Sequence, residues 1–141
     1  MADTFYNAFY WRLMNGSHAL ASGAYKCMLV TSSYVVNPDL HEDRADITNE
    51  VTGTGYTAGG VTLTGKTTAV DNANDRGIWD FDDPQWAAST ITARAGIIYL
   101  STGVAANDFL VAYIDLGSDR TSTAGTFRLA LDGVGFMAIG A

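Results

Sequence analysis

Positive charge is scarce in this sequence. Lys and Arg number 8 against 15 Asp and Glu, which gives a net charge of −7, and the lysines are Lys26 and Lys66 alone. The arginines stand singly along the chain. Because nucleic-acid binding depends on clustered Lys and Arg that displace counterions, the sequence excludes DNA and RNA as direct partners. Binding to an acidic membrane surface is disfavoured for the same reason.

Charge of either sign is also low. Charged residues make up 16% of the chain, below the usual value of about 25%, and Gly, Thr, Ser and Ala take their place. A neutral, hydroxyl-rich surface is expected where much of that surface faces other protein rather than water.

Cysteine and long apolar runs are nearly absent. The one cysteine, Cys27, lies in the apolar run 26–30. It has no partner for an internal disulfide, and we interpret it as a small buried hydrophobe. The N-terminus lacks the basic region of a secretion signal, and no apolar run approaches the ~20 residues of a membrane span. We therefore expect a soluble protein made in a reducing cytoplasm.

The length of 141 residues predicts one domain over 1–141. A helix is predicted at 4–15, with Asp3 or Thr4 as N-cap and Asn15-Gly16 as the stop signal. Phe5, Phe9 and Leu13 fall on one face of that helix.

The predicted helix is apolar nearly all round, because Tyr6, Tyr10, Trp11 and Met14 surround that stripe. Such a helix is either deeply buried or shared with a neighbour. We expect one face to pack on the protein's own sheet and the other to be available to a partner.

The rest of the chain has a β pattern. The segment 24–34 is apolar on both faces and predicts a central strand. Turn signals separate the other strands, among them 71–75 and 117–119, and the last of these signals, Asp132-Gly133, is typical of a hairpin. The predicted strands are at 24–34, 50–57, 61–70, 77–82, 90–100, 109–117, 125–132 and 134–140. Eight strands predict a mainly β protein, an antiparallel β-sandwich resembling a jelly roll, with the strands spread over 24–140.

The stretch 50–65 reads EVTGTGYTAGGVTLTG. Glycine serves where the backbone takes positive φ or approaches another backbone closely. No helix pattern and no Lys-Ser/Thr pair follows, which argues against a phosphate-binding loop. We interpret the stretch as a tight corner with positive φ at one or more of its four glycines and a largely buried tyrosine. The residues of this structural turn are Gly53, Gly55, Tyr56, Gly59 and Gly60.

No catalytic, cofactor-binding or metal-binding residue is predicted. Asp80, Asp82 and Asp83 are the densest acidic cluster, but they lack the EF-hand pattern and fit the solvent face of an amphipathic strand. Neither His41 nor His18 belongs to an HExxH motif, and no serine stands in a GxSxG motif. The sequence therefore predicts a protein that is not an enzyme.

Several segments together resemble small virion proteins of tailed bacteriophages. They are DTFYNA at 3–8, YKCMLVTSSY at 25–34, NPDLHE at 37–42, EVTGTGYTAGG at 50–60, STITARAGIIY at 89–99 and YIDLGSD at 113–119. The GTGYTAGG block combined with the TITARAGIIY block is the specific part, and the resemblance covers most of the chain.

The resemblance implies a structural, non-enzymatic component of the particle, often a capsid decoration (cement) or other head-associated protein. It implies binding to the major capsid protein and to further copies of the chain, on the outside of a phage head after synthesis in the host cytoplasm. We expect the contacts to come from the predicted helix and the loop 40–49, because aromatic residues are the commonest interface residues. The candidate interface residues are Phe5, Tyr6, Phe9, Tyr10, Trp11, His41 and Glu42.

Two alternatives stay open. One is a tail or head–tail junction protein, which differs from a decoration protein in its copy number in the virion. The other, from a different class, is a carbohydrate-binding β-sandwich module, in which Trp79, Trp86 and the 80–83 acidic group would form the site.

Overall fold

The computed structural model of the chain describes residues 2–131 and 135–140. Within these ranges it contains eight β-strands, one α-helix and two short 3₁₀ turns, at Arg44–Asp46 and Ala105–Asn107. The strands and helix are β1 (Ala2–Phe5), α1 (Asn7–Met14), β2 (Tyr25–Val30), β3 (Val61–Thr62), β4 (Thr67–Asp71), β5 (Arg76–Asp80), β6 (Gln85–Leu100), β7 (Leu110–Arg128) and β8 (Met137–Gly140).

The strands form two antiparallel sheets. One has five strands in the order β1-β7-β6-β2-β3, and the other has three in the order β4-β5-β8. The prediction of a mainly β, antiparallel sandwich of eight strands with one helix is confirmed in the described residues. The strand number of a jelly roll is met, with the strands divided five and three.

Strand β2 buries side chains on both of its faces, as predicted for 24–34. Cys27 and Leu29 belong to one hydrophobic cluster, which also contains Trp79 of the smaller sheet. Met28 belongs to a second cluster, which also contains Tyr34 of the loop after β2. The five-stranded sheet is therefore covered on one side by the smaller sheet and on the other by a loop.

Helix α1 begins later than predicted. It starts at Asn7, and the preceding residue Tyr6 is extended and makes no side-chain cap. Residues 2–5 instead form β1, which pairs with β7 from Ala2 opposite Asp115 to Phe5 opposite Ala112. The predicted start at residue 4 was wrong because strand pairing overrides the local capping signal.

Strand β7 is a single strand where the sequence predicted two. Ala93 pairs with Arg120 and Ala95 with Asp115, so β7 holds three more residues than β6 between these pairs. The segment 117–119, predicted as a turn, is a bulge within the strand. The predicted strands 109–117 and 125–132 are thus one strand, paired along most of its length with β6.

Other predicted boundaries also differ. The segment 50–57 is a loop rather than a strand, and in the part of the chain that the structure describes its main chain forms only isolated bridges with the sheet, at Glu50 and Thr54. The predicted strand 61–70 is divided into β3 and β4. The turn signal at 71–75 is confirmed between β4 and β5. The hairpin signal Asp132-Gly133 lies outside the described residues.

Candidate interaction surface

Helix α1 presents one face to the core and the other to solvent. Phe9 is fully buried in the core, and Leu13 is partly buried against it. Tyr10, Trp11 and Met14 are 46%, 60% and 81% exposed. The spacing of three and four residues puts these exposed side chains on one face of the helix. The expectation of one packed and one exposed face is confirmed.

Three of the predicted interface residues are turned inward. Tyr6 and Phe9 are both 0% exposed, so neither has surface to offer a partner. Phe5 is partly buried, and its ring stacks on Phe9 with the centroids 5.8 Å apart. Burial in the protein's own core corrects the assignment of Tyr6 and Phe9 as contact residues. The ring of Tyr6, which precedes the helix, packs in the second hydrophobic cluster, and the ring of Phe9 packs in the first.

The loop after β2 is fastened to the start of α1. The Asn7 N–H donates to the carbonyl of Pro38 at 3.1 Å, and the Asn7 side chain donates to the Asp39 carboxylate at 2.7 Å. The exposed face of α1 is therefore continuous with segment 35–46. We call this area the helix–loop surface: Asn7, Tyr10, Trp11 and Met14 with the exposed residues of 35–46.

Arg12 holds segment 35–46 at Glu42, from the inner side of the helix. Its guanidinium donates to the main-chain carbonyl of Glu42 at 2.7 Å and lies 3.5 Å from the Glu42 carboxylate. The same guanidinium stands over the ring of Phe109, 3.8 Å from the centroid. Because the Arg12 side chain is only 10% exposed, its charge interacts with groups inside the protein and is not available to a partner at the surface.

His41 is held by a chain of hydroxyl groups. Its Nδ1 lies 2.7 Å from the Tyr34 hydroxyl, which lies 3.0 Å from the Tyr6 hydroxyl. Burial, more than any other cause, raises the pKa of Tyr34 to about 12, and burial likewise raises the pKa of Tyr6. Both phenols therefore stay protonated and serve to position His41 and the loop.

A buried carboxylate holds the far end of the loop. Asp108 accepts from the Thr102 N–H at 2.6 Å and from the Arg44 Nε at 2.7 Å. Burial acts to raise the pKa of Asp108, but these hydrogen bonds outweigh it and hold the pKa below its usual value. The main chain joins the same two segments, since the Arg44 N–H donates to the Asp108 carbonyl at 2.8 Å.

The rim of the helix–loop surface is acidic. Asp39, Glu42 and Asp46 are exposed along segment 35–46. The arginines of this region, Arg12 and Arg44, are both engaged from the inner side. The solvent therefore meets an apolar centre, formed by the helix, beside a row of carboxylates.

The glycine corner is built around Glu50. The Glu50 carboxylate accepts from the Tyr56 hydroxyl at 2.7 Å and from the Gly59 N–H at 2.6 Å. The predicted positive φ is confirmed at all four glycines: 152° at Gly53, 80° at Gly55, 92° at Gly59 and 79° at Gly60. Tyr56 is partly buried, and its ring stacks on Trp86 with the centroids 6.1 Å apart.

Close backbone approach explains three of these glycines. A Cβ at Gly55 would stand 2.7 Å from the Cα of Ser89, and one at Gly53 would stand 2.6 Å from the Thr90 carbonyl oxygen. A Cβ at Gly60 would overlap the carbonyl group of Cys27. The corner thus presses against β2 and β6, and any side chain at these positions would push it away.

Two members of the acidic cluster, Asp82 and Asp83, are hydrogen-bonded to neighbouring segments. Asp83 pairs with Arg128 and accepts from the Leu131 N–H at 3.0 Å, while Asp82 accepts from the Thr64 hydroxyl at 3.0 Å. Across the described parts of the chain, no three His, Cys, Asp or Glu side chains are grouped so as to hold a metal ion.

The two tryptophans of the carbohydrate-binding alternative are buried. Trp79 is 1% exposed and Trp86 is 3% exposed. The Trp79 Nε1 donates to the Leu20 carbonyl at 2.9 Å, which fixes the ring inside the sandwich. Because a sugar needs an exposed aromatic face for stacking, this finding removes the platform that the alternative required.

His18 is a core residue that the sequence did not indicate. Its ring is 7% exposed, lies edge-on to Phe9, and its Nδ1 is hydrogen-bonded to the Tyr25 hydroxyl at 2.8 Å. Burial and, secondly, the charge of Arg12 lower the pKa of His18 to about 4. His18 stands among small residues without apolar periodicity, so no sequence signal could have placed it in the core.

A comparison with known protein families, characterised proteins and solved structures finds no match to the chain. Among the described residues, no helix combines the length and apolar character that a membrane span needs.

Proposed function

We propose that this chain is a structural virion protein, a decoration protein that binds the major capsid protein of a phage head through the helix–loop surface. The observation that carries the proposal is the exposed face of α1, where Tyr10, Trp11 and Met14 project from a helix whose other face is fixed in the core. Aromatic side chains on a rigid support are typical of residues that dominate binding energy, because little entropy is lost when they dock.

The charge of the helix–loop surface indicates the kind of partner surface that would fit it. An apolar centre beside Asp39, Glu42 and Asp46 fits an apolar groove bordered by Lys or Arg. The loop is already held by Arg12 and Arg44, so binding requires little reordering. A capsid repeats its sites by symmetry, so modest contacts at each site hold many copies on the shell.

Binding to heads tests this proposal. Heads of the phage that encodes the chain, stripped of it or produced without it, are mixed with the purified protein and sedimented. Trp11→Ala should weaken binding by about tenfold or more, as expected for a central aromatic contact. The matched control is Val104→Ala, which changes a residue that is 54% exposed on a different segment. Equal binding by Trp11→Ala and the wild type would rule out the helix as the contact.

Copy number separates this function from the tail and junction alternative. Quantitative mass spectrometry of purified virions should give hundreds of copies for a decoration protein. Six or twelve copies would instead indicate a junction component. Absence from the virion would reject both structural roles.

A further inference from the structure

The smaller sheet has an open edge at β4. In the order β4-β5-β8, β4 hydrogen-bonds to β5 on one side only. Residues 67–70 are all exposed, and no other described segment hydrogen-bonds to their main chain. Alternate N–H and C=O groups of β4 are therefore directed away from the sheet and free to pair with another strand.

Strand β4 lacks the features that prevent an exposed sheet edge from pairing with another chain. Its sequence TTAVD contains no Pro, Gly or Lys. Its one charge, Asp71, is paired with Arg76 at 2.9 Å. The free edges elsewhere are shorter: β3 has two residues, and β1 and β8 have four each, against five in β4. β4 is thus the edge best suited to strand addition.

An uncharged apolar area lies beside this edge. Thr68 borders a groove of about 200 Å³ that Leu13, Trp79 and Ile139 also line, and no described side chain lining it is ionisable. Val70, 77% exposed, projects from the same face of the sheet as Thr68, because side chains two residues apart share a face. The outer rim of the sheet is therefore uncharged beside β4, and we call Val70 and the apolar side chains of the groove the apolar row.

The low charge of the β4 edge favours a second copy of the chain as its partner. Each copy carries a net charge of −7, so two copies repel one another wherever acidic rims meet. The helix–loop surface has such an acidic rim, so a partner with basic residues fits it better than a second copy does. Strand β4 itself carries one charged residue, Asp71, which is paired with Arg76, and no described residue that lines the groove is charged. Two copies can therefore pair along β4 without placing like charges opposite one another.

We propose that two copies associate through β4, with the two β4 strands antiparallel and centred on Ala69. In that register Thr68 of each copy lies opposite Val70 of the other, and Thr67 lies opposite Asp71. The face of every residue is preserved, because residues 68 and 70 share the groove side in both copies. Cross-strand pairs of β-branched residues such as Thr and Val stabilise a sheet, and the pairing joins the two smaller sheets into one of six strands.

This self-association does not depend on what the helix–loop surface binds. The self-association uses the uncharged β4 edge, whereas the helix–loop surface has an acidic rim. It is measured with the purified protein alone. Its failure would leave the capsid-binding proposal intact, and failure of head binding would leave the dimer intact.

A cysteine at the two-fold axis tests the pairing directly. Residues directly opposite in antiparallel strands have Cα atoms about 4.5–5.5 Å apart, within the range of about 4.4–6.8 Å that a disulfide spans. Ala69→Cys should therefore form a covalent dimer under mild oxidation, seen on a non-reducing gel. Val104→Cys, also at an exposed position, is the matched control and should cross-link little. The native Cys27 is fully buried and adds no background.

A charge on the apolar row provides the second variant. Val70→Lys should convert the dimer to a monomer in analytical ultracentrifugation, with unchanged circular dichroism and melting temperature, because the side chain is exposed in the single copy. The proposal is overturned if the wild type stays monomeric at its highest soluble concentration. It is also overturned if Ala69→Cys cross-links no faster than Val104→Cys, or if the wild type sediments as species that grow beyond a dimer with concentration.

Discussion

The hydroxyl of Tyr56 donates to the Glu50 carboxylate at 2.7 Å and accepts from the Leu29 N–H at 3.0 Å. One phenol thus joins the glycine corner to strand β2. Burial, followed by the neighbouring Glu50 carboxylate, raises the pKa of Tyr56, so the hydroxyl keeps its proton for this bond. The corner is held in place by polar contacts in a partly buried setting, as well as by its glycines.

Tyr56→Phe should lower the free energy of unfolding by about 1–3 kcal/mol, because it removes one hydrogen bond to a charged group and leaves the Leu29 N–H without its acceptor. Urea unfolding followed by circular dichroism measures the loss. Tyr10→Phe is the control, since Tyr10 is exposed and no internal hydrogen bond of its hydroxyl is seen in the described residues. Equal stability of the two variants would show that the Tyr56 hydroxyl does not hold the corner.

Gly60→Ala should destabilise the fold by about 3 kcal/mol or more, because the added Cβ would overlap the Cys27 carbonyl and force the corner away from β2. Gly103→Ala isolates the backbone contribution: Gly103 also has a positive φ, 88°, but nothing lies within 4 Å of its Cβ position. Strain alone costs about 1 kcal/mol. Thermal unfolding of both variants separates close approach from strain, and similar melting temperatures would contradict the packed corner.

Acid should weaken the protein through His18. Its pKa is about 4 in the folded chain and 6.5 when unperturbed, so between these values the unfolded chain binds a proton that the folded chain does not. Stability is therefore full above pH 6.5 and falls as the pH drops towards 4, by about 3 kcal/mol in total from this group. Urea unfolding measured at steps across this range gives the slope.

His18→Gln should flatten that slope, because glutamine does not titrate. His41→Gln serves as the comparison, since it leaves His18 in place and should keep the decline. A wild-type decline that persists unchanged in His18→Gln would assign the acid sensitivity to the carboxylates instead.

The two faces of α1 should respond differently to truncation. Phe9→Ala should cost about 3–5 kcal/mol of stability, because it empties a fully buried aromatic site. Trp11→Ala should change stability by no more than about 0.5 kcal/mol, since Trp11 is 60% exposed. Unfolding curves of both variants test this, and a large loss in Trp11→Ala would mean that its ring supports the fold.

The strand class and the exposed helix face could be predicted from the sequence because both rest on local periodicity. The alternation of 24–34 predicts a two-sided strand, and β2 buries both faces. The aromatic residues that surround the predicted helix 4–15 predict one face packed in the core and one face at the surface. What could not be predicted depends on distant partners: β1 exists because residues 2–5 pair with β7, over a hundred positions away.

The bulges of the β6–β7 hairpin were beyond prediction for another reason. Ala88 and Ala124 have φ values of 49° and 45°, in a region that alanine rarely adopts. Between them the hydroxyls of Ser89 and Ser122 lie 2.7 Å apart, in a buried hydrogen-bonded group. Sequence reasoning expects glycine or asparagine at such positions, so a chain that places alanine there gives no local signal.

The three extra residues of β7 offer a place to modify the chain. Segment 117–119 is exposed, and nothing lies within 4 Å of a Cβ built on Gly117. The ladder with β6 already resumes in register on both sides of this extra length. A short peptide tag inserted there would lengthen a segment that takes no part in the ladder, so it would label the protein without shifting a strand.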